Sequence, residues 1–529
     1  MLQRILATVA FATTSLLAQI PANPTPCSPV QFNYPYAGGF KVLRSLTAAN
    51  PYGMPTAPTH DCSGNASSWY WPVSVTIGDV DNDGQDDLLY CCEQRFLLAV
   101  RIKNAAGQPL ATPKVIWLYF DQDGTIYKHR WGADRPAIGD FDGDGINEVA
   151  AVIDTQNPAL DHSHVLAVFE MPSKSGLQQI HNPLSERSPQ LRTYKRIDDI
   201  ATNWTNTATQ CSASHAYGMN YNVNTSHVLG NPGVDEIFLS GTASGRMGIY
   251  IYNDVSNQLV EIFKRGYTVG SSHYIQPFDV NGDGYDDLLT NGVLDIQNQC
   301  MWTLNDLPPY TISPSHTNSN HADTLVPWKN SAGAYDLLLL HDDYDMLVTA
   351  GGTGCTPARL WENTRLNDNS AAVPHGQQAV IAKLIDGPDA FGYTGKHAVL
   401  LPKGAPIYQN GSVVINRNAK ELCIANNSGQ SAPVGPRLSV LSVIQFDGGP
   451  TEEVLSFSHG RYSVWRLVFD GLDPDLPYHW DEVFGYQPQT GSGAVLARTS
   501  LVYDYYAGGN QEILFPGVRG YVVVPSPCP

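Results

Sequence analysis

The sequence predicts an all-β protein built as a ring of blades, a β-propeller, and three observations predict it. A nine-residue acidic motif occurs three times between apolar runs, its second half recurs in weaker form along the chain, and no stretch carries the period of a surface helix. Composition agrees with them. Only 15% of the 529 residues are charged, well below about 25% in an average soluble protein, which speaks against disorder, coiled coil and long exposed helices. The 47 Gly and 37 Pro, spread without a collagen-like period, suit many turns between short strands. Net charge is −19, so no nucleic acid is expected as a partner, because tracking phosphates needs clustered cations.

The chain opens with Arg4, an apolar run over 5–17 and the small residue Ala18. Residues 1–18 read as a secretory signal peptide, so the protein is expected to be secreted or periplasmic. That run is shorter than the ~20 residues a bilayer span needs, and no later segment reaches that length, so no membrane span is expected. Nine cysteines, at 27, 62, 91, 92, 211, 300, 355, 423 and 528, lie beyond it without a C-x-x-C pair. In an exported chain they imply a few disulfides with at least one thiol left over. Residues 19–66 lead into or close the ring, and 67–529 form one propeller.

The three strong motifs follow D-x-[DN]-x-D-G-x-x-[DE]. They are Asp79, Asp81, Asp83 and Asp87; Asp140, Asp142, Asp144 and Glu148; and Asp279, Asn281, Asp283 and Asp287. Oxygen side chains at positions 1, 3, 5 and 9, with the carbonyls of Gln85, Ile146 and Tyr285 at position 7, offer the hard-oxygen shell that calcium takes. Glycine at position 6 (Gly84, Gly145, Gly284) permits the sharp turn, and the β-rich flanks distinguish the loop from an EF-hand. The plainer reading is a hairpin turn rich in Asp and Gly. Asp121-Gln122-Asp123-Gly124 shows it, lacking the acid at position 9.

Five weaker copies follow the same outline, at 233–238, 333–338, 386–401 with an insertion, 446–455 and 503–514. Together these make eight units, mostly ~50 to 60 residues apart, which is the size of a four-stranded blade. Eight blades are expected, with seven as the alternative because the sixth copy is irregular. The longer second interval predicts a polar insertion near 173–224 on one face of the ring.

The loops resemble the FG-GAP or VCBS repeat of integrin-type propellers and many exported bacterial proteins. From about 270 to 401 the order of Ser272-His273, the loop from Asp279, the stretch 291–295 and His321-Ala322-Asp323 looks like the calcium-dependent, eight-bladed rhamnogalacturonan lyases. In that family a His precedes one calcium loop and a His-containing segment opens the next blade. This chain departs from it in having no evident N-terminal sandwich domain, and in carrying Trp328, Lys329 and Asn330 where the fifth blade's acidic loop would lie.

The residues themselves suggest a site. His321 and His375 share a register, each with a lysine eight residues on (Lys329, Lys383), while His273 and Arg135 stand shortly before Asp279 and Asp140. If each apolar run is an innermost strand, Arg135, His273, His321 and His375 gather at one mouth of the channel, joined by His215 and Tyr217 from the third blade. Such a ring suits β-elimination from a uronic-acid polysaccharide. A cation neutralises the carboxylate, His or Lys removes the adjacent proton, and Tyr or His protonates the leaving oxygen. The alternative for each His is a hydrogen bond to the next blade that closes the ring mechanically. Trp69, Tyr70 and Trp71 could stack on sugars or sit in the core. No nucleophile elbow, P-loop, H-E-x-x-H or dinucleotide fingerprint is present.

Two function classes therefore stand. One is a calcium-binding propeller acting on acidic polysaccharide as a lyase; the other is a non-catalytic module for adhesion or for binding a cell-surface glycan. A monomer is expected in either case.

Overall fold

The computed structural model describes residues 29–33, 74–91, 96–120, 136–154, 164–170, 190–196, 221–230, 233–241, 246–266, 276–289, 292–303, 306–307, 324–340, 345–350, 356–363, 379–400, 412–422, 442–458, 461–469, 478–486, 501–507, 509–516 and 520–525. These residues contain thirty-one strands and no α-helix. Strand β1 (Val30–Asn33) comes first. The first blade is β2 (Ser74–Gly78), β3 (Asp87–Cys91), β4 (Phe96–Lys103) and β5 (Pro109–Phe120), and the second is β6 (Ala137–Gly139), β7 (Glu148–Asp154), β8 (His164–Glu170) and β9 (Gln190–Arg196). The third is β10 (Tyr221–Ser226), β11 (Glu236–Gly241), β12 (Arg246–Asn253) and β13 (Gln258–Gly266), and the fourth is β14 (Gln276–Phe278), β15 (Asp287–Leu289), β16 (Gly292–Asp295) and β17 (Cys300–Thr303). The fifth is β18 (Thr324–Lys329), β19 (Tyr335–Leu340), β20 (Asp345–Thr349) and β21 (Arg359–Asn363), and the sixth is β22 (Ala379–Ala382), β23 (His397–Leu400) and β24 (Val413–Ile415). The seventh is β25 (Ser442–Ile444), β26 (Glu453–Ser458), β27 (Arg461–Phe469) and β28 (Tyr478–Tyr486), followed by β29 (Leu501–Tyr503), β30 (Glu512–Pro516) and β31 (Gly520–Val524).

Each blade is an antiparallel meander in chain order, and β1 completes the last as its outer strand, giving β29-β30-β31-β1. The result is an eight-bladed β-propeller, which excludes the seven-bladed alternative. All five weak copies of the motif are inner hairpins of blades, including the irregular sixth. Of residues 173–224, 190–196 form β9 and 221–224 open β10, while 171–189 and 197–220 lie outside the described residues.

The core lies between blades. Among the described residues seven apolar clusters each span one pair of neighbours, from Leu89 and Ala99 against Val149 and Phe169 to Ile444 and Val464 against Ile513 and Val522. The second strand of a blade is covered on both faces. Leu337 and Leu339 pack toward the fourth blade, whereas Leu338 and Leu340 pack toward the sixth. Period-2 geometry thus makes the run continuously apolar, as in a sheet with no wet face. Cys300, buried in one cluster, takes part in a disulfide. At the closing interface, Tyr503 donates to Asp86 at 2.8 Å and the Lys103 ammonium donates to the Asp504 carbonyl at 2.9 Å.

A second link between blades is polar and repeats. The residue just before the ninth-position acid reaches back to the first position of the preceding blade's loop. Asp235 donates its N–H to the Asp140 carbonyl at 2.7 Å and accepts the Asp140 N–H at 2.9 Å. Asp286 makes the same pair of bonds with His227, Glu452 with Lys383 and Gln511 with Gln445. Asn147 does it by another route, donating its amide to the Asp79 carbonyl and exchanging bonds with Asn82. Asp286→Ala removes the acceptor for the His227 N–H and is expected to cost about 1 kcal/mol. Asp286→Asn keeps an acceptor and should cost less, so equal urea midpoints for the two variants would refute the clasp.

Candidate metal centres

The motif folds locally before it binds anything. Positions 4 and 6 take left-handed backbone: Asn82 at φ 59° and Gly84 at 83°, Gly143 and Gly145 at 83° and 85°, Gly282 and Gly284 at 78° and 89°. Glycine and, to a lesser degree, asparagine tolerate that region. The first-position Asp then accepts loop N–H groups. Asp79 takes those of Asp83 and Gly84, Asp140 those of Gly143, Asp144 and Gly145, and Asp279 those of Gly282 and Gly284. The fifth-position acids Asp83, Asp144 and Asp283 accept the N–H groups of Gln85, Ile146 and Tyr285.

The ninth-position acid stands at or next to the start of the second strand and is buried in seven of the eight blades, as Asp87, Glu148, Glu236, Asp287, Asp336, Glu453 and Glu512. Six of these accept the backbone N–H at the far side of the loop. Glu148 takes that of Phe141 at 2.8 Å, Asp287 that of Val280 at 3.0 Å, Glu453 that of Phe446 at 2.9 Å and Glu512 that of Tyr505 at 2.7 Å. Asp87 takes that of Val80 at 3.4 Å, and Glu236 takes two, from Val228 and Leu229 at 2.7 and 2.8 Å. This position is thus a structural tie in blades with and without the full motif. In the sixth blade His397 stands there instead, with its Nε2 3.1 Å from Asp389. Burial lowers the imidazole below its ordinary value, with Asp389 opposing. The pair has no solvent-exposed surface, so it holds the blade rather than facing a substrate.

The three full motifs differ in what neutralises their acids. In the second blade, carboxylate oxygens of Asp140, Asp142 and Glu148 lie within 4.8 Å of one another. Among the described residues no Lys, Arg or His pairs with them. Burial, with neighbouring acids adding to it, pushes Glu148 up to about 9 and Asp142 to about 6. This crowding of hard oxygens without a counter-charge fits a calcium ion. In the fourth blade Asp279, Asp283 and Asp287 are spread more widely and are joined by Asp295 from the third strand. Asn281 and Asn298 donate amide hydrogens to Asp295, and Asn298 also donates to Asp283. Burial pushes Asp287 up to about 7.

The first blade does not fit in the same way. Asp79, Asp81 and Asp87 converge as closely as the second-blade set, but the Arg101 guanidinium lies among them. It pairs with Asp81, approaches Asp83 Oδ2 at 3.0 Å, and places Nε 3.9 Å from Asp87 Oδ1. Arginines occupy two further loops. Arg466 pairs with Asp447 and Glu453 in the seventh blade, and Arg417, from the turn after β24, pairs with Asp336 in the fifth.

Sequence reasoning missed these partners, though for the third-strand ones the hairpin register that sets Arg101 opposite Asp87 and Glu170 opposite Glu148 could have found them. Arg135, His215, Tyr217, His273, His321 and His375 lie outside the described residues, as do residues 1–18, 69–71 and 121–124.

Fold and loops together define a class, an eight-bladed β-propeller with acidic loops joining the first two strands of its blades. No family model matches the chain, and no curated protein matches it. Among solved structures it is similar to the rhamnogalacturonan lyase YesW, with a TM-score of 0.52 and 16% identity over 87% of this chain and 72% of that one. At that identity the likeness speaks to the fold alone. A likeness to Saccharomyces cerevisiae Sqt1, with a TM-score of 0.33 and 11% identity over 75% of this chain and 96% of that one, carries no argument. Among the described residues no helix is long and apolar enough to cross a membrane.

Proposed function

We propose that the chain is an exported, calcium-binding propeller that acts on acidic polysaccharide by β-elimination, as a lyase of the rhamnogalacturonan type. The observation that carries this reading is the position of four residues along the chain. Arg135, His273, His321 and His375 come just ahead of β6, β14, β18 and β22, the innermost strands of their blades. Innermost strands run from one face of the ring toward the acidic loops, so on this reading the four residues ahead of them would gather at the opposite mouth. The whole-ring likeness to a rhamnogalacturonan lyase supports the same reading by analogy of fold.

Arg135 would hold the uronate carboxylate and stabilise the charge that develops when the adjacent C–H is deprotonated. One of His273, His321 and His375 would take that proton, with an imidazole suited to the task near neutral pH. The electron pair forms the C=C bond as the C–O bond breaks, and Tyr217 or His215 would return a proton to the leaving oxygen. Calcium, when bound, supplies positive charge to the oxygen-rich loops of the second and fourth blades.

Pure protein mixed with pectic and other uronate polymers in calcium should release unsaturated product, seen as rising ultraviolet absorbance. His273→Ala, His321→Ala or His375→Ala should lower that rate at least about 100-fold for whichever is the base. Folded protein that releases no such product across the panel refutes the lyase reading for those polymers.

A further inference from the structure

The three full motifs look equivalent in sequence, yet among the described residues only the first holds a cation of the protein's own. The geometry points to Arg101 as the resident positive charge of the first-blade loop, which therefore takes no divalent metal. Its occupant is set by the third-strand residue opposite the ninth-position acid. The inference rests on the reading of the second and fourth loops as calcium sites only for the comparison between blades; the claim about the first loop stands on its own contacts.

Register makes the assignment. Arg101 faces Asp87 across the β3–β4 ladder, where side chains on the same face meet. From there its guanidinium reaches Asp81 and Asp83, so the loop's third, fifth and ninth positions share one fixed cation. The side chains of Asp81 and Asp87 are 1% and 0% exposed, and a buried carboxylate group of this density needs a neighbouring positive charge. A second cation would meet the guanidinium in the space between those oxygens. In the seventh blade the pairing of Val454 with Trp465 sets Arg466 beside Glu453 in the same way, with Nε 3.3 Å from Glu453 Oε1.

The second and fourth blades carry the opposite sign at this position. Glu170 faces Glu148, and the pairing of Leu288 with Leu294 brings Asp295 beside Asp287. Neither residue offers positive charge to its loop. Glu170 is itself held by Arg192 from the next strand, outside the loop. Arginine at one ladder position thus replaces the metal that an acid there leaves room for. In the first blade, Asp87 Oδ1 is buried and makes no hydrogen bond, so it is available as a ligand once the guanidinium is gone.

Calcium bound per molecule of full-length protein, counted by calorimetric titration and by elemental analysis after dialysis, tests this directly. Wild type is expected to bind two ions, Asp81→Asn to leave that number unchanged, and Arg101→Gln to raise it by one. Arg101→Lys, which keeps the charge, should match wild type. If Arg101→Gln unfolds in chelator, calcium is expected to restore its fold, seen as a melting temperature that rises with calcium by more than that of wild type. A lower count in Asp81→Asn would overturn the inference, as would a folded Arg101→Gln with the wild-type count. Wild type with no calcium but Arg101→Gln with one ion would uphold the inference and refute calcium in the second and fourth loops.

Discussion

Replacing Glu236 with alanine is expected to cost about 3 to 5 kcal/mol, the largest single-residue effect among the loop acids. The carboxyl group is fully buried at the start of β11 and accepts the N–H groups of Val228 and Leu229 together. Truncation strands both donors inside the interface between the third and fourth blades, where Val228 packs against Leu288 and Leu294. Each orphaned donor costs about 1 to 3 kcal/mol, and alanine adds a void. Glu236→Gln keeps an acceptor oxygen and should lose less than half as much. Urea unfolding of the two variants decides the matter. Equal losses would mean that the side chain acts through its charge or volume rather than through the two bonds.

With divalent cations removed, the protein is expected to lose stability as pH rises from about 5 to about 9. Burial and neighbouring acids raise Glu148 to about 9, Asp87 to about 8, Asp287 to about 7 and Asp142 to about 6 in the folded chain. In the unfolded chain these groups titrate near 4.5 for Glu and 3.8 for Asp. Between the unfolded and folded values the native state holds more protons, so its stability falls with rising pH. The contribution is complete below the unfolded values and is lost as pH passes through the folded ones. A drop in melting temperature of at least about 5 °C is expected over this range. Calcium bound at the second and fourth loops, as proposed, would favour their ionised acids and should remove their share of the slope. The share carried by Asp87 should remain. A chelated protein whose melting temperature is flat over the range would refute this account.

The ring was legible in the sequence because its repeating signal is local. Glycine at position 6 and the acid at position 9 answer to backbone needs within one loop, so a window of nine residues reveals them. Even Glu236 and Glu512, in blades without the full motif, keep the tie to the loop N–H groups and mark their strands. The sixth unit looked irregular for a related reason. Asp389 accepts the N–H groups of Phe391 and Tyr393 and meets His397, so a histidine and a displaced aspartate do what one acid does elsewhere. What fills each loop was not legible in that window. Arg101 comes twenty residues after Asp81, and Arg417 reaches Asp336 from the next blade. The clasps between Asp140 and Asp235 or His227 and Asp286 join positions in successive repeats, which a motif read one copy at a time leaves as unassigned polar residues.

The pairing of Val30 with Val523 ties strands from nearly opposite ends of the sequence into one sheet. Closing so long a loop costs more chain entropy than any hairpin in the molecule, though the cost grows only slowly with length. It also imposes an order of assembly. The strand made first has no partner until β29, β30 and β31 have been made, and seven blades can stack before the eighth is complete. High contact order of this kind slows folding. Once joined, the circle has no end from which blades can peel away in turn. Parting β1 from β31 would loosen the eighth blade beside the first, where Lys103 reaches the Asp504 carbonyl and Tyr503 reaches Asp86. The lifetime of the folded ring would then be governed by that seam more than by the average strength of the interfaces between its other blades.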